Sequence, residues 1–437
     1  MSPATSGLLV LTVTLVLLVS GVPVAFGIGA VSLVFIAIFQ GFDSLHIVAQ
    51  TFYSGLDDFT LVSIPMFVMM GAAIGSSPAG KDLYEALDRW LYRLPGGLVI
   101  SNLGACALFA ALTGSSPACC AAIGKMGIPE MRRRGYPDGV ATGSICAGGT
   151  LGILIPPSIT FILYGIATEN SIGRLFLAGV IPGLMLTGLF MIWTLFTIWR
   201  SGFRAYAADF RYSWKEKFVS IPKIAPFLAI ILGVMYALYG GLATPSEAAG
   251  VGAALCLVLA IAIYRMWRPT DWWKILRDTT RESIMILTII AAAVIFSYML
   301  TSLYLTQTLA QAIADMQVNR WVLMLMINIF LLVCGFFIPP AAIILMTSPI
   351  LLPIITAAGF DPIWFGVILT INMEIGLIHP PVGLNIYIVS AIAPDVPLAR
   401  IMWGTLPYVL CMMLAIVLLC IFPEIATWLP NQLMGAH

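Results

Sequence analysis

Hydrophobic residues along this chain do not alternate with polar ones; they run in blocks. The first half holds apolar runs over 7–20, 24–41, 59–76, 98–131, 138–167 and 173–199. The second holds them over 225–240, 246–264, 283–303, 320–355, 362–392 and 401–422. A bilayer crossing needs about 20 predominantly apolar residues as a helix. Barrel strands would instead show segments of about ten residues that alternate. Between the third and fourth runs of each half lies an amphipathic connector (79–93 and 306–317), and a second one precedes the third run (43–57 and 270–281). The pattern predicts an all-α polytopic membrane protein.

Two of the long runs in each half are interrupted by residues that cannot continue a helix. Gly152-Ile-Leu-Ile-Pro156-Pro157 returns 224 positions later as Gly376-Leu-Ile-His-Pro380-Pro381. Paired prolines remove two N–H donors and push the preceding residue toward extended geometry. The runs 98–131 and 320–355 break at Thr113-Gly-Ser-Ser-Pro117 and Ile338-Pro-Pro340. An interrupted run whose ends return to one face is a re-entrant hairpin. At the offset of 224, Pro129 also meets Pro353 and Gly135 meets Gly359; Gly179-Val-Ile-Pro182 meets Gly404-Thr-Leu-Pro407 one residue out of register. Upstream, Gly27-Ile-Gly29-Ala30 resembles Gly250-Val-Gly252-Ala253. The chain therefore divides into a first repeat (1–199; hairpin 98–131, broken span 138–167), a linker (200–224) and a second repeat (225–437; hairpin 320–355, broken span 362–392).

Charge sets the orientation. Basic residues cluster at Lys125, Arg132, Arg133 and Arg134, in the linker (Arg200, Arg204, Arg211, Lys215, Lys217, Lys223), and at Arg265, Arg268, Lys274, Arg277 and Arg281. The positive-inside rule puts all three clusters in the cytoplasm. Segments 42–58 and 359–362 carry only acids and fall outside. Five crossings per half result, with one hairpin that does not cross. An odd number inverts the second repeat relative to the first and leaves both termini outside. Were 7–41 a single helix bent at Pro23, the count would become even.

Composition narrows the function. Of 437 residues, 60% are hydrophobic and 9% charged, against about 25% charge in soluble domains; mean hydropathy is +1.02. A net charge of +1 gives no grip on nucleic acid. The first apolar run has no basic residue before it and makes a poor signal peptide, so it is expected to remain as a helix. The eight cysteines sit in apolar runs without zinc spacing and read as small packing residues. No nucleophile elbow, zinc-protease motif, Walker loop or dinucleotide fingerprint occurs, and only His379 of three histidines and Glu374 among the acids lie at the depth of the breaks. Nothing assembles a catalytic set, and no organic cofactor is expected.

What remains is small and polar. Thr113, Gly114, Ser115 and Ser116 lie in the first hairpin; Gly149, Thr150, Gly152 and Ser158 in the first broken span; Ile338, Pro339, Thr347 and Ser348 in the second hairpin; Asn372, Met373, Glu374, Gly376, His379 and Asn385 in the second broken span. Unwound carbonyls with Ser, Thr and Asn oxygens suit a dehydrated Na⁺, and helix N-termini behind the breaks favour an anionic substrate. Close packing of small residues would explain one such motif alone; four breaks in paired positions point to a transport site. Glu374 stands where the first repeat has Thr150, and an acid at that depth costs about 3 kcal/mol by insertion scales. It reads equally as a cation ligand, a proton acceptor or a hydrogen-bond acceptor that holds the break. His379 reads as a cap on the break before it reads as a pH-sensitive or substrate-tuning group.

Several long motifs resemble one family. Thr113-Gly-Ser-Ser-Pro117, Ala121-Ala-Ile-Gly124, Gly135-Tyr-Pro137, Gly148-Gly-Thr-Leu-Gly-Ile-Leu-Ile-Pro-Pro-Ser158, Arg93-Leu-Pro-Gly-Gly97, Thr244-Pro-Ser-Glu-Ala-Ala249 and Asn372-Met-Glu-Ile-Gly-Leu-Ile-His-Pro-Pro-Val-Gly-Leu-Asn385 are similar to the large membrane subunit of tripartite ATP-independent periplasmic (TRAP) transporters. The resemblance covers nearly the whole chain. It departs at His379, where threonine is expected, and at Pro117 with Cys119-Cys120, which replace smaller and more polar residues. It implies a multi-pass protein of the bacterial inner membrane with an elevator-type ion-transporter-superfamily architecture, taking up an organic acid by Na⁺ symport. It also implies two partners, a small four-helix membrane subunit and a periplasmic binding protein. One Na⁺ site would be made mostly of backbone carbonyls of Thr113, Gly114, Ser115, Gly149, Thr150 and Gly152, the other of Ile338, Pro339, Met373, Glu374 and Gly376. Substrate would lie between them, at Ser115, Ser116, Pro156, Pro157, Ser158, Pro380, Pro381 and Asn385. A stand-alone carboxylate carrier of the same superfamily is the alternative, and a channel or membrane enzyme is a third reading.

Overall fold

The structure, a computed structural model, describes residues 3–91, 96–200, 212–308, 311, 318–380 and 383–435. Pro381, Arg204, Arg211, Arg93 and most of the connector 306–317 lie outside the described residues. Those described are helical, with no strand among them. In the first half the helices are α1 (Pro3–Val19), α2 (Val24–Gln40), α3 (Leu45–Leu56), α4 (Ser63–Gly75), α5 (Ala79–Leu91), α6 (Gly97–Thr113), α7 (Ser116–Arg133), α8 (Asp138–Thr150), α9 (Ile159–Thr168) and α10 (Ile172–Arg200). The second half has α11 (Trp214–Tyr239), α12 (Pro245–Ala262), α13 (Pro269–Ser302), α14 (Arg320–Gly335), α15 (Pro340–Ala357), α16 (Pro362–Ile378), α17 (Leu384–Ile392), α18 (Leu398–Ile421) and α19 (Glu424–Met434).

Six of these helices are long and apolar enough to cross a membrane unaided. Shorter apolar helices such as α2, about 25 Å long at 1.5 Å per residue, and the broken spans supply further apolar length. Residues 7–41 form two helices separated by a turn at Ser20–Pro23 rather than one bent helix. Helices are interrupted at the Gly and Pro breaks, between α6 and α7, α8 and α9, α14 and α15, and α16 and α17.

The two halves pack on each other reciprocally. Helix α2 lies on α13 while α12 lies on α4; α9 lies on α15 while α17 lies on α7; α10 lies on α16 while α18 lies on α8. Each pair is a contact between element i of one half and element j of the other, matched by j with i, as a two-fold relation requires. The closest of these approaches uses glycines. A Cβ on Gly143 of α8 would sit 2.1 Å from the Gly404 carbonyl oxygen of α18, and one on Gly404 would sit 2.2 Å from that of Gly139. Small residues let membrane helices meet backbone to backbone.

Near the two membrane faces, polar contacts between distant segments fall into two sets. Lys223 and the Tyr264 hydroxyl donate to Asp82 (2.8 and 3.1 Å), Arg134 and Tyr212 to Asp88 (both 3.0 Å), and Arg400 to Asp138 (3.2 Å). All of these residues belong to the face that charge assigns to the cytoplasm. Ser246 donates to the Phe59 carbonyl (3.0 Å), Tyr164 to that of Pro362 (2.7 Å), and Arg174 to Gly435 O and Asn431 Oδ1 (2.7 and 2.8 Å). These residues belong to the opposite face. None of these bonds joins the two sets.

The structure departs from the sequence reading in three places. The stretches 270–281 and 283–303, read as a connector and a separate helix, are one continuous 34-residue helix, α13. No glycine or proline interrupts it after Pro269. Its counterpart bends by 60° between residues 56 and 59, where Asp58 Oδ1 takes the free N–H of Thr60 (2.8 Å) and starts a new turn. Helix α11 begins at Trp214, within the stretch read as linker, on a Ser213/Glu216 capping box. Helix α19, not anticipated, folds the C-terminal residues back onto α10.

Candidate functional site

Each hairpin tip meets the break of its own half. In the first, α6 ends at Gly114, whose φ of 58° favours glycine, and Ser115 leads into α7 with Pro117 in its first turn. A Cβ on Gly114 would sit 2.9 Å from the Pro157 carbonyl oxygen, and one on Gly152 would sit 2.7 Å from that of Ser115. In the second, a Cβ on Gly376 would sit 2.5 Å from the Gly335 carbonyl oxygen. Gly152 and Gly376 are the same position in the two repeats. Both are glycine because the hairpin backbone occupies the space a side chain would need.

The residues around the first break are buried, and most of their hydroxyls are in use. Thr113 donates to the Phe109 carbonyl (3.0 Å) and Thr150 to that of Ala147 (2.7 Å). Ser158 donates to Ile153 O (2.5 Å) and caps α9 by accepting from the N–H of Phe161 (3.4 Å). Pro156 and Pro157 are buried, joined by a cis peptide bond, and the Pro157 carbonyl faces Gly114. Gly149 allows α8 to approach Cys120 and Asn385, whose atoms would lie 2.7 and 3.2 Å from a Cβ there. Donation leaves the lone pairs of the Thr113 and Thr150 oxygens free, so this half has hydroxyl as well as backbone oxygens beside the break. Ser115, half-buried, lines a cavity of about 720 Å³ together with Thr113, Pro117 and Ile159.

Asn385 belongs to the second break but serves the first. From α17 its amide donates to Ser116 Oγ (2.9 Å) and to the Cys146 carbonyl (3.1 Å). Ser116 and Asn385, both read as substrate-binding residues, thus satisfy one another. Gly383, left-handed at φ 39°, starts the helix that carries Asn385.

The second break differs in chemistry. Glu374 is fully buried, and neither carboxylate oxygen has a hydrogen-bond partner. Asn372 donates to Asn328 Oδ1 (2.7 Å) and Ile368 O (3.0 Å), while its own Oδ1 has no partner; Ser348 Oγ also lacks one. Buried polar atoms without partners are rare in native structures and ask for an explanation. Met373 and Ile338 are buried, whereas Pro339 is exposed. It is Gly335, four residues before Pro339, that makes the backbone contact with Gly376. His379 Nδ1 donates to the Pro380 carbonyl (2.6 Å), and its ring stacks on Phe336 of the second hairpin at 4.5 Å. That geometry is a cap on the break.

Three contributors escaped the sequence reading. Gly335 carried a signal, a glycine just ahead of a Pro-Pro break. Asn328 carried another, a lone amide in an apolar 16-residue helix. Gly71 of α4 carried none, although a Cβ there would sit 2.8 Å from the Thr113 carbonyl oxygen. Seven of the eight cysteines are buried and Cys420 half-buried, all of them free thiols.

Comparison with known proteins agrees with this geometry. The model of the family "Tripartite ATP-independent periplasmic transporter, DctM component" matches residues 11–425. The C4-dicarboxylate TRAP transporter large permease protein DctM of Pseudomonas aeruginosa is 38% identical, over 90% of this chain and 91% of that protein. The isethionate TRAP transporter permease protein DctMQ of Oleidesulfovibrio alaskensis is 34% identical, over 92% of this chain and 62% of that protein. Among solved structures, the YdaH transporter of Alcanivorax borkumensis shares the fold, with a TM-score of 0.63 at 16% identity over 89% of each chain. The chain belongs to the DctM family, the large permeases of TRAP transporters of organic acids.

Proposed function

We propose that this permease takes up an organic acid by Na⁺ symport across the inner membrane, from a periplasmic binding protein, in complex with a small four-helix membrane subunit. The observation that carries the reading is the paired contact of hairpin tip with break, Gly152 on Ser115 and Gly376 on Gly335. Each pair gathers main-chain oxygens at an interruption where helix hydrogen bonds are missing, and carbonyl oxygen is the ligand a hard monovalent cation takes. Glu374, buried with both oxygens unpartnered, adds two acceptor oxygens at the second pair. Substrate then lies between the hairpins, beside Ser115, Ser158 and Pro380. The N-terminal ends of α7 and α9 there turn partial positive charge toward a carboxylate.

Transport follows an elevator: the hairpins and broken spans move together, tied by Asn385 across the repeats, against the remaining helices. The 720 Å³ cavity that reaches Ser115 is also lined by Lys81, Lys125, Lys274 and Arg281, so it opens on the face charge assigns to the cytoplasm. Relatives named for a C4-dicarboxylate and for isethionate make succinate the first acid to test. That the isethionate relative is called DctMQ supports partnership with a small subunit.

Proteoliposomes holding this chain, its small subunit and the binding protein are expected to accumulate labelled succinate or a related acid only under an inward Na⁺ gradient. Accumulation by this chain alone would instead identify a stand-alone carrier. Flux that ignores every gradient would identify a channel.

A further inference from the structure

The cavity beneath the first hairpin has a second charged region that the transport site does not use. At its inner end lie Ser115 and the start of α7; also lining it are Lys81 of α5, Lys125 of α7, and Lys274 and Arg281 of α13, with Asp278 and Glu282. Along α7, Lys125 lies about 14 Å beyond Ser116 at 1.5 Å per residue. The cavity therefore reaches from the break to the membrane surface. Lys274, Asp278, Arg281, Glu282 and Met285 all line it, following helical spacing along one face of α13.

We propose that Lys125, Lys274 and Arg281 form an anion-release site, which takes the carboxylate of the organic acid after it leaves the hairpin and passes it to the cytoplasm. Lys125, Lys274 and Arg281 form no ion pair within 4 Å among the described residues, whereas Lys81 is paired with Glu85 (3.8 Å). Three free cations around a concave, low-dielectric wall raise the local concentration of anions. Asp278 and Glu282 in the same lining moderate the attraction, so that the acid is held loosely enough to leave. This inference rests on the organic-acid reading above, but its test does not require transport.

Ala121, one turn before Lys125 and also lining the cavity, is replaced by cysteine in a Cys420→Ala background, the other native thiols being buried. In inside-out vesicles carrying the complex, labelling rates are compared for two thiol reagents with the same reactive group, one bearing a sulfonate and one a trimethylammonium. Relative to a free thiol in solution, the sulfonate reagent is expected to be favoured by about tenfold. Replacing Lys125, Lys274 and Arg281 together by Gln is expected to remove that preference, and Lys→Arg at 125 and 274 to retain it. Succinate is expected to slow labelling, and inorganic phosphate to do so less. A preference equal to that of the free thiol, or one unchanged in the triple variant, overturns the proposal. Equal protection by phosphate overturns the assignment to organic acids. If the charge preference holds while no acid is transported, the release site stands and the symport reading fails.

Discussion

Asn385 of the second repeat donates a 2.9 Å hydrogen bond to the hydroxyl of Ser116 in the first, across 269 positions of sequence. The same amide group donates to the Cys146 carbonyl at 3.1 Å, so one side chain fastens α17 to both α7 and α8. All the groups involved are buried. Asn385→Ala leaves the buried Ser116 hydroxyl without this partner, at about 1–3 kcal/mol for an unsatisfied group, and removes the second bond to the Cys146 carbonyl. Ser116→Ala removes the two bonds that join the pair (2.9 and 3.3 Å) but keeps the bond to Cys146, and is expected to cost less. A double-mutant cycle on the unfolding midpoint in detergent is expected to show a coupling of about 0.5–3 kcal/mol. Additive effects would mean that the two residues act separately.

Gly152 and Gly376 are expected to be intolerant of even one methyl group. At Gly152 a Cβ meets the Ser115 carbonyl at 2.7 Å, and at Gly376 that of Gly335 at 2.5 Å. Backbone cannot rotate away as a long side chain can. Gly152→Ala and Gly376→Ala should each destabilise by about 1–3 kcal/mol and abolish uptake by prising the hairpin from its break. Gly188→Ala on α10, with nothing within 4 Å of the added carbon, is the control and should transport normally. Uptake assays on the three variants decide it; normal transport in Gly152→Ala would place the functional contact elsewhere.

Glu374→Gln separates the roles open to this acid. The substitution keeps shape and removes the carboxyl at a site with no hydrogen-bond partner to lose. A cation ligand predicts that half-saturating Na⁺ rises at least about tenfold, 1.4 kcal/mol of lost binding, while the fold is unharmed. An acceptor holding the break together, for which the described residues offer neither oxygen a partner, would predict lower stability and unchanged Na⁺ dependence. Ser115→Ala, which leaves the main-chain oxygens in place, is expected to alter substrate affinity more than Na⁺ affinity.

The hairpins and breaks were legible because their signal is local. Whereas single prolines such as Pro129 and Pro182 stay inside helices, Gly114 and the paired prolines Pro156-Pro157 and Pro339-Pro340 disfavour helix continuation locally, and the breaks fall there. Their pairing across halves was legible as well, through the 224-residue offset and an odd number of crossings. What escaped depends on neighbours that sequence spacing does not order. Nothing in Asn385 itself says that its partner is Ser116 rather than a substrate. The continuity of α13 escaped because symmetry with the first repeat argued for a break that only Gly55, Asp57 and Asp58 encode there. Helix α19 escaped because its anchors, Asn431 Oδ1 and Gly435 O on Arg174, are contacts with a residue more than 250 positions away in sequence.

A final prediction concerns the face that carries the basic clusters. Arg132 at the end of α7 binds both Asp138 (3.1 Å) and Asp395, and Arg400 binds Asp138 (3.2 Å). The chain Asp395–Arg132–Asp138–Arg400 thus joins the first hairpin and broken span to the segment between α17 and α18. The hydrogen bond from Arg132 holds the Asp395 carboxyl below its ordinary value. A carboxyl depressed in the folded state stabilises it fully above the unfolded value, and that contribution is lost as pH falls through the folded one. The tie is therefore closed at neutral pH and opens only in acid, below the ordinary aspartate range. Because these groups are largely exposed, the effect is local and salt-sensitive. Asp395→Asn is expected to speed amide hydrogen exchange across 393–397 at neutral pH and low salt. The difference from the unmodified protein should shrink in 1 M salt and disappear once Asp395 is protonated in both. A difference that persists in acid would show that Asp395 acts through its shape rather than its charge.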